Sequence, residues 1–474
     1  MAVRPLLPAE PFPQRHDQEY TFKNGFPTRE TAERAYDAAD LNRAVEAYRF
    51  FYPTVSGAAI FKGNAKIGIV PNKVFGTLDG KPMHVGFTYN SDTPYAPLLM
   101  DLSDGPMVVE LPPGPLICIA MDVNQLWIAD LGLPGPAAGK GDKVVFLPLA
   151  YMDNPPAGYR VANSPSNKML VGIRSLPVNG DVAGAIARIK TVRVYPLKPN
   201  PDWPETKWLD LTPLEQDTTP LAYENSIQFW SELKEAIDAE PPNPRFHQMY
   251  GELAALGIEK GKSFNPDARM AAILEKAAKT ANAQMRVESF GDRRPDRIVW
   301  PDRRWEWAAL RFEDGDFNTD NYADLYARDK WFYQAIGASP AMFKRDTSAG
   351  SLYWLGLRDR KDANLDGGKA YKLTVPQPVP GKLFWSVTVY DTDTRSQVLT
   401  DQGKAALRSL FELKDVSTSQ PTELYFGPSI PKGHEDRWIK TIPGKGWFVY
   451  FRVYGPEQAA FNGSWKPGDF EEMK

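Results

Sequence analysis

A chain of 474 residues is long for a single hydrophobic core and predicts two or three domains. A formal net charge of -3, with 24% charged residues, supplies no basic field, so nucleic acid is excluded as an expected partner. No stretch approaches a membrane span, and the opening MAVRPLLPAEPFPQ holds no uninterrupted apolar core of signal-peptide length. As written the chain reads as cytoplasmic, or as periplasmic or secreted if an export signal has been removed, and its localisation is left open.

From the N-terminus, Thr28 precedes Arg29-Glu30 and predicts a helix N-cap, with a helix running to about Tyr52 and ending at Pro53. The cluster Tyr48, Phe50, Phe51 and Tyr52 predicts a face that docks on a sheet, because rings bury much apolar area per residue. Between Gly57 and Leu176 the pattern becomes short apolar runs broken by Gly and Pro: 66–70, 85–88, 107–111, 116–121, 144–147 and 169–173. No helix-length segment separates these runs, which favours an antiparallel sandwich over an α/β sheet. Cys118, the only cysteine, lies inside one run and reads as a small buried hydrophobe. Asp122 and Asn124 follow a strand and are expected at the sheet's rim.

Within this region Asn90-Ser91-Asp92-Thr93-Pro94-Tyr95 forms a polar knot between apolar runs. Asp and Thr in such a loop ordinarily bond to nearby backbone and fasten it. The competing reading turns Tyr89, Asp92 and Tyr95 towards a cavity, where an acid flanked by phenols would hold a hydroxylated or cationic ligand.

A short helix is expected over 181–190, then a strand over 192–195 and a Pro-rich connector around 196–204. Beyond it the period turns helical. One helix is expected from Leu221 to about Ala239. Another is expected to be capped by Asn265, with Met270, Ile273, Leu274, Ala277, Ala278, Ala281 and Met285 on a core stripe. A Trp- and Tyr-rich passage follows, and Arg328 within it is expected to be held by an acid, by a ring, or by an anionic ligand. From Gly350 the runs are strand-like again. Asp362, Asn364 and Asp366 before Gly367 resemble half of a calcium loop, but the twelfth position is Leu373 rather than glutamate, so calcium is not expected.

The knot and the following DLSDGPMVVELP resemble the domain of unknown function 1254, and Phe384 to Asp391 with Phe448 to Pro456 and Gly463 to Pro467 resemble the domain of unknown function 1214. The resemblance implies motif positions at Asn90, Asp92, Thr93, Tyr95, Trp385, Tyr390 and Asp391. It departs where the family carries Asn-Trp-Leu-Pro and this chain reads Asp436 to Thr441. The fold expected is mainly β with a helical insert: an N-terminal helical segment (1–56), a jelly-roll or β-sandwich domain (57–200), a helical connecting subdomain (201–345) and a second such β domain (346–474).

Nucleophile-elbow, His-Glu-x-x-His, P-loop and dinucleotide motifs are missing, and the four histidines, His16, His84, His247 and His434, lack ligand spacing. Neither a metal nor a cofactor is therefore expected. The functional expectation is a small-molecule binding protein or cofactor-free enzyme, with a polyhydroxylated or aromatic ligand. Its pocket would draw on Asp92 and Asp391 as catalytic carboxylates and on Tyr89, Asn90, Thr93, Tyr95, Arg328, Trp385, Tyr390 and Arg395 as binding residues. The alternative is a structural or envelope-associated interaction protein without catalysis, and a homo-oligomer is compatible with either.

Overall fold

The computed structural model describes residues 20–311 and 315–473; the opening stretch read above for an export signal, with His16, lies outside them. The fold is β-rich and multi-domain, with two β-sandwiches set against a bundle of helices. In the first sandwich one sheet runs Arg160–Asn163, Asp142–Leu147, Met107–Leu111, Arg193–Pro196. The other runs Tyr95–Asp101, Lys168–Ser175, Leu116–Asp122, Trp127–Gly132. Every pairing is antiparallel except that of Arg160–Asn163 with Asp142–Leu147. Alternate residues turn inward, so Ala96, Leu98 and Met100 meet Val109, Val144 and Phe146 in a shared core that also takes in Cys118.

The second sandwich repeats the scheme with a five-stranded sheet in the order Trp305–Trp307, Ser351–Gly356, Trp447–Pro456, Gly381–Asp391, Ala406–Arg408. Its partner sheet is Trp438–Lys440, Thr422–Gly427, Tyr371–Val375, Glu471–Glu472. Trp385, Val387, Val449, Phe451 and Val453 point into the core between them. The strand Trp305–Trp307 lies in a stretch read as helical from sequence, yet it adds an edge to this sheet.

Helix α1, Arg29–Lys66, begins at the expected cap, where the Thr28 hydroxyl accepts the Thr31 N–H. It does not stop at Pro53, and the strand expected at 66–70 does not form, since the helix continues to Lys66. A proline inside a helix removes a hydrogen bond at a cost of about 3 kcal/mol. Here residues 51–57 are buried on every side, and that packing overrides the local preference. Its rings dock on helices rather than on a sheet: Tyr48 stacks on Phe229 at 4.0 Å, and Phe51 lies against Phe246.

Helix α2 is Val182–Ile189, capped by Asp181. The helix expected from Leu221 starts later, as α3, Gln228–Ala239, and α4 spans His247–Ala255. Helix α5, Ala268–Phe290, buries Leu274, Ala277, Ala278, Ala281 and Met285 as expected, but its cap is Asp267, whose carboxylate accepts the Met270 N–H. Two residues earlier, Asn265 is left outside the helix. Helix α6 is Leu325–Gln334.

Candidate functional site

The side chains that turn away from the two sandwich cores matter most. On the first sandwich they are Tyr95 and Pro97, Ile117, Ile119 and Met121, and Leu170, Gly172 and Arg174; on the second they are Ser351 and Tyr353, then Tyr450, Arg452 and Tyr454. The two outward faces frame a partly open cavity of about 550 Å³, bounded on a third side by Trp331, Ile336, Gly337 and Ser339 from the end of α6 and the segment after it. The first wall is mainly apolar, whereas the second is phenolic and cationic. A volume of this size is in the range that accommodates a small molecule.

The polar knot plugs one side of this space. Tyr89 and Asn90 line it, and the Tyr89 ring packs edge-on against Tyr95 at 5.4 Å. Asn90 Nδ2 donates to Tyr454 OH at 3.0 Å, and Arg174 Nη1 donates to the same oxygen at 3.1 Å. Tyr454 OH in turn donates to Asp92 Oδ2 at 3.4 Å, and Ser386 Oγ donates to that oxygen at 2.9 Å. Asp92 is 1% exposed; burial pushes its carboxyl above the ordinary range, against the pull of Arg452 and Arg408. Its Oδ1 has no partner, and neither has the Thr93 hydroxyl. Both residues line a second, smaller cavity of about 280 Å³, together with Lys81, Lys404 and Arg408.

The other residues named from sequence lie elsewhere. The Tyr390 hydroxyl donates to the carbonyl oxygens of Tyr89 (2.6 Å) and Thr88 (3.3 Å), which ties the knot to the second sandwich. Trp385 faces that sandwich's interior and stacks on Phe451 at 5.5 Å. Asp391 accepts the N–H groups of Asp393 and Thr394 from its own turn. Arg395 forms a two-pronged ion pair with Glu224, at 2.6 and 2.9 Å, beneath Tyr52 and Tyr333. Arg328 donates to the Phe50 carbonyl and packs on the rings of Phe50 and Phe332, so its ring partners are present while its hydrogen bond goes to a carbonyl rather than to an acid. Burial holds its guanidinium below the ordinary value.

Sequence reasoning missed Arg174, Tyr353, Tyr450, Arg452 and Tyr454. A signal was present in both strands. WFVYFRVYGP is apolar or aromatic at nearly every position and KMLVGIRS over its middle MLVGI, the pattern of strands covered on both faces, and an arginine in or beside such a run is an exception that marks a site. Among the described residues no three of His, Cys, Asp and Glu converge in a way that would hold a metal ion.

Comparison with known proteins adds a family and a fold. Residues 77–196 match the family described as protein of unknown function (DUF1254), and residues 350–458 match protein of unknown function (DUF1214). A search of curated proteins gives no match. Among solved structures, the VPA0106 protein from Vibrio parahaemolyticus is similar with a TM-score of 0.57 at 18% identity, over 92% of this chain and 100% of that one. An uncharacterised protein from Burkholderia cenocepacia gives a TM-score of 0.40 at 12% identity, over 93% and 96%.

Proposed function

For a chain that joins an N-terminal DUF1254 domain to a C-terminal DUF1214 domain, we propose that the cavity between the two sandwiches binds a small molecule with a largely apolar or aromatic body. The observation that carries this reading is the concave space itself: outward faces of two separate sheets, which would be solvated in either sandwich alone, carry Ile, Leu, Met and Tyr and frame a partly open pocket of about 550 Å³. A concave, mainly apolar space of this size with a few polar groups converging on it is the usual form of a small-molecule site. In this reading Tyr89, Asn90 and Tyr95 face the ligand. Asp92 orients the Tyr454 hydroxyl from behind, while Asp391, Trp385, Tyr390 and Arg395 maintain the walls.

Gly172 offers the test. It lies in mid-strand on the cavity wall, and an added Cβ would meet only Ile119 at an ordinary 3.5 Å. Gly172→Leu is therefore expected to fold, with a thermal midpoint equal to or above that of the wild type. It is also expected to abolish the stabilisation that aromatic and aliphatic small molecules give the wild type in a thermal-shift screen. If no compound stabilises the wild type, or if Gly172→Leu responds equally, the interaction-protein reading is favoured.

A further inference from the structure

Three arginines that tie elements of this fold together sit against carboxylates. Arg49 lies 2.6 Å from Glu288 and 2.7 Å from Asp329, Arg395 lies 2.6 Å from Glu224, and Arg408 lies 2.6 Å from Glu412. The two arginines on the cavity wall, like the buried Arg328, lack such a partner. Arg174 donates to the Tyr454 phenol and lies over the rings of Tyr95 and Tyr454, 5.8 and 5.5 Å from their centres. Arg452 is 2% exposed; its Nη2 donates to the Thr88 carbonyl, and its Nε and Nη1 have no hydrogen-bond partner. The rings of Tyr353, Tyr390 and Tyr450 surround it at 5.0 to 5.5 Å. Ring faces and a carbonyl oxygen solvate a cation only in part, and a buried charge without a counter-ion is expensive. The nearby acid, Asp92, feels the pull of Arg452 but forms no ion pair with it or with Arg174: its Oδ2 accepts from Ser386 and Tyr454, and its Oδ1 has no partner. Two positive charges thus meet at the Tyr454 end of a mainly apolar space, without an ion-pair partner among the described residues.

We propose that the molecule held in this cavity carries a carboxylate, seated against Arg174 and Arg452, with its apolar or aromatic body along Ile117, Ile119 and Leu170. A planar guanidinium presents paired N–H groups that match the two oxygens of a carboxylate, and the low-dielectric walls strengthen that bond. The assignment rests on the reading that the cavity binds a small molecule, and it names the chemical class. Asp130, which also lines the cavity, is engaged by Ser339 and the Ala341 backbone, with Lys344 nearby, and forms no ion pair with Arg174 or Arg452.

Matched pairs test it, each a carboxylic acid and its primary amide on one body: phenylbutyrate, naphthylacetate, octanoate and dodecanoate against the corresponding amides, titrated calorimetrically at pH 7.5. At least one acid is expected to bind tenfold or more tightly than its amide, and Arg174→Met is expected to reduce that preference to less than about threefold while Arg174→Lys retains part of it. Amides that bind as tightly as acids, or a preference that survives Arg174→Met, overturn the carboxylate assignment and leave the small-molecule reading standing. If neither series binds the wild type, both fall.

Discussion

Asp122 is the residue whose surroundings carry the clearest pH consequence. It ends a strand as its position suggested, but the sequence showed a rim residue and the structure a buried one, because α1 covers the turn. Asp122 accepts the Leu126 N–H and the Asn124 amide, and Asn124 accepts the Thr54 hydroxyl from α1. Burial nevertheless dominates and pushes the Asp122 carboxyl up to about 7. A folded-state value above the unfolded one means that this group's stabilisation is complete below the ordinary carboxylate range, near pH 4, and is lost as pH rises towards 7. Asp130, pushed by burial to about 6, acts in the same direction. Asp122→Asn, with Asn124 turned over, keeps the hydrogen bonds and discards the charge. The variant is expected to match the wild type near pH 4 and to exceed it by on the order of 2–4 kcal/mol at pH 8. Thermal melts across that interval check it, and a variant less stable than wild type at pH 8 would show that the ionised form is the one the site stabilises. What single residues disclosed in the sequence was their local chemistry: Thr28 as a cap, Cys118 as core, Asp391 and Asp92 as loop acids. The distant element laid over each of them was not legible, and burial depends on that element.

At the scale of elements, strands were legible because alternation is local, and α5 because its stripe spans several turns. Helix α1 was legible only to Pro53. Residues 51–57 are buried all round, so that stretch has no polar face to show a helical period, and the proline outweighed the rest of the signal. The glycines in the second half of α1 explain its placement. A Cβ on Gly57 would stand 1.9 Å from the Val123 carbonyl oxygen, and one on Gly63 would stand 2.1 Å from that of Asp217. These positions let α1 lie directly on the backbone of two loops, one of them the Asp122 turn. Alanine is favoured over glycine inside a helix by about 1 kcal/mol, yet Gly57→Ala is expected to destabilise by about 2 kcal/mol or more, since backbone has to move to admit the methyl group. Urea unfolding measures this, and a stabilised Gly57→Ala would mean that α1 does not approach the loop so closely.

At the scale of the molecule, the sequence indicated two sheets with helices between them but not that the outward faces of those sheets meet. Facing is set by long-range packing, and each strand's pattern reports only that a face is covered, not by what. The joint is held by the knot at 88–95 and by Arg395, whose backbone carbonyl accepts the Thr88 N–H at 2.8 Å. The Arg395 side chain gathers Glu224 from the segment before α3, Tyr52 from α1 and Tyr333 from α6, with the rings of Phe87 and Tyr333 4.4 and 4.2 Å from its guanidinium carbon. Arg395 also takes a left-handed backbone, φ 53°, a conformation kept for a non-glycine residue only where the surroundings enforce it. Removing one partner strands the other charge in the interior. Arg395→Met is thus expected to cost about 3–5 kcal/mol, and Glu224→Gln a similar amount. The double variant is expected to cost clearly less than their sum, because neither charge is then left alone. A double-mutant cycle by denaturant unfolding decides it: additive losses, or a loss below about 1 kcal/mol for Arg395→Met, would mean that the helices and the second sandwich are held together elsewhere. A coupled loss would identify this ion pair as the link that keeps the two walls of the cavity in register.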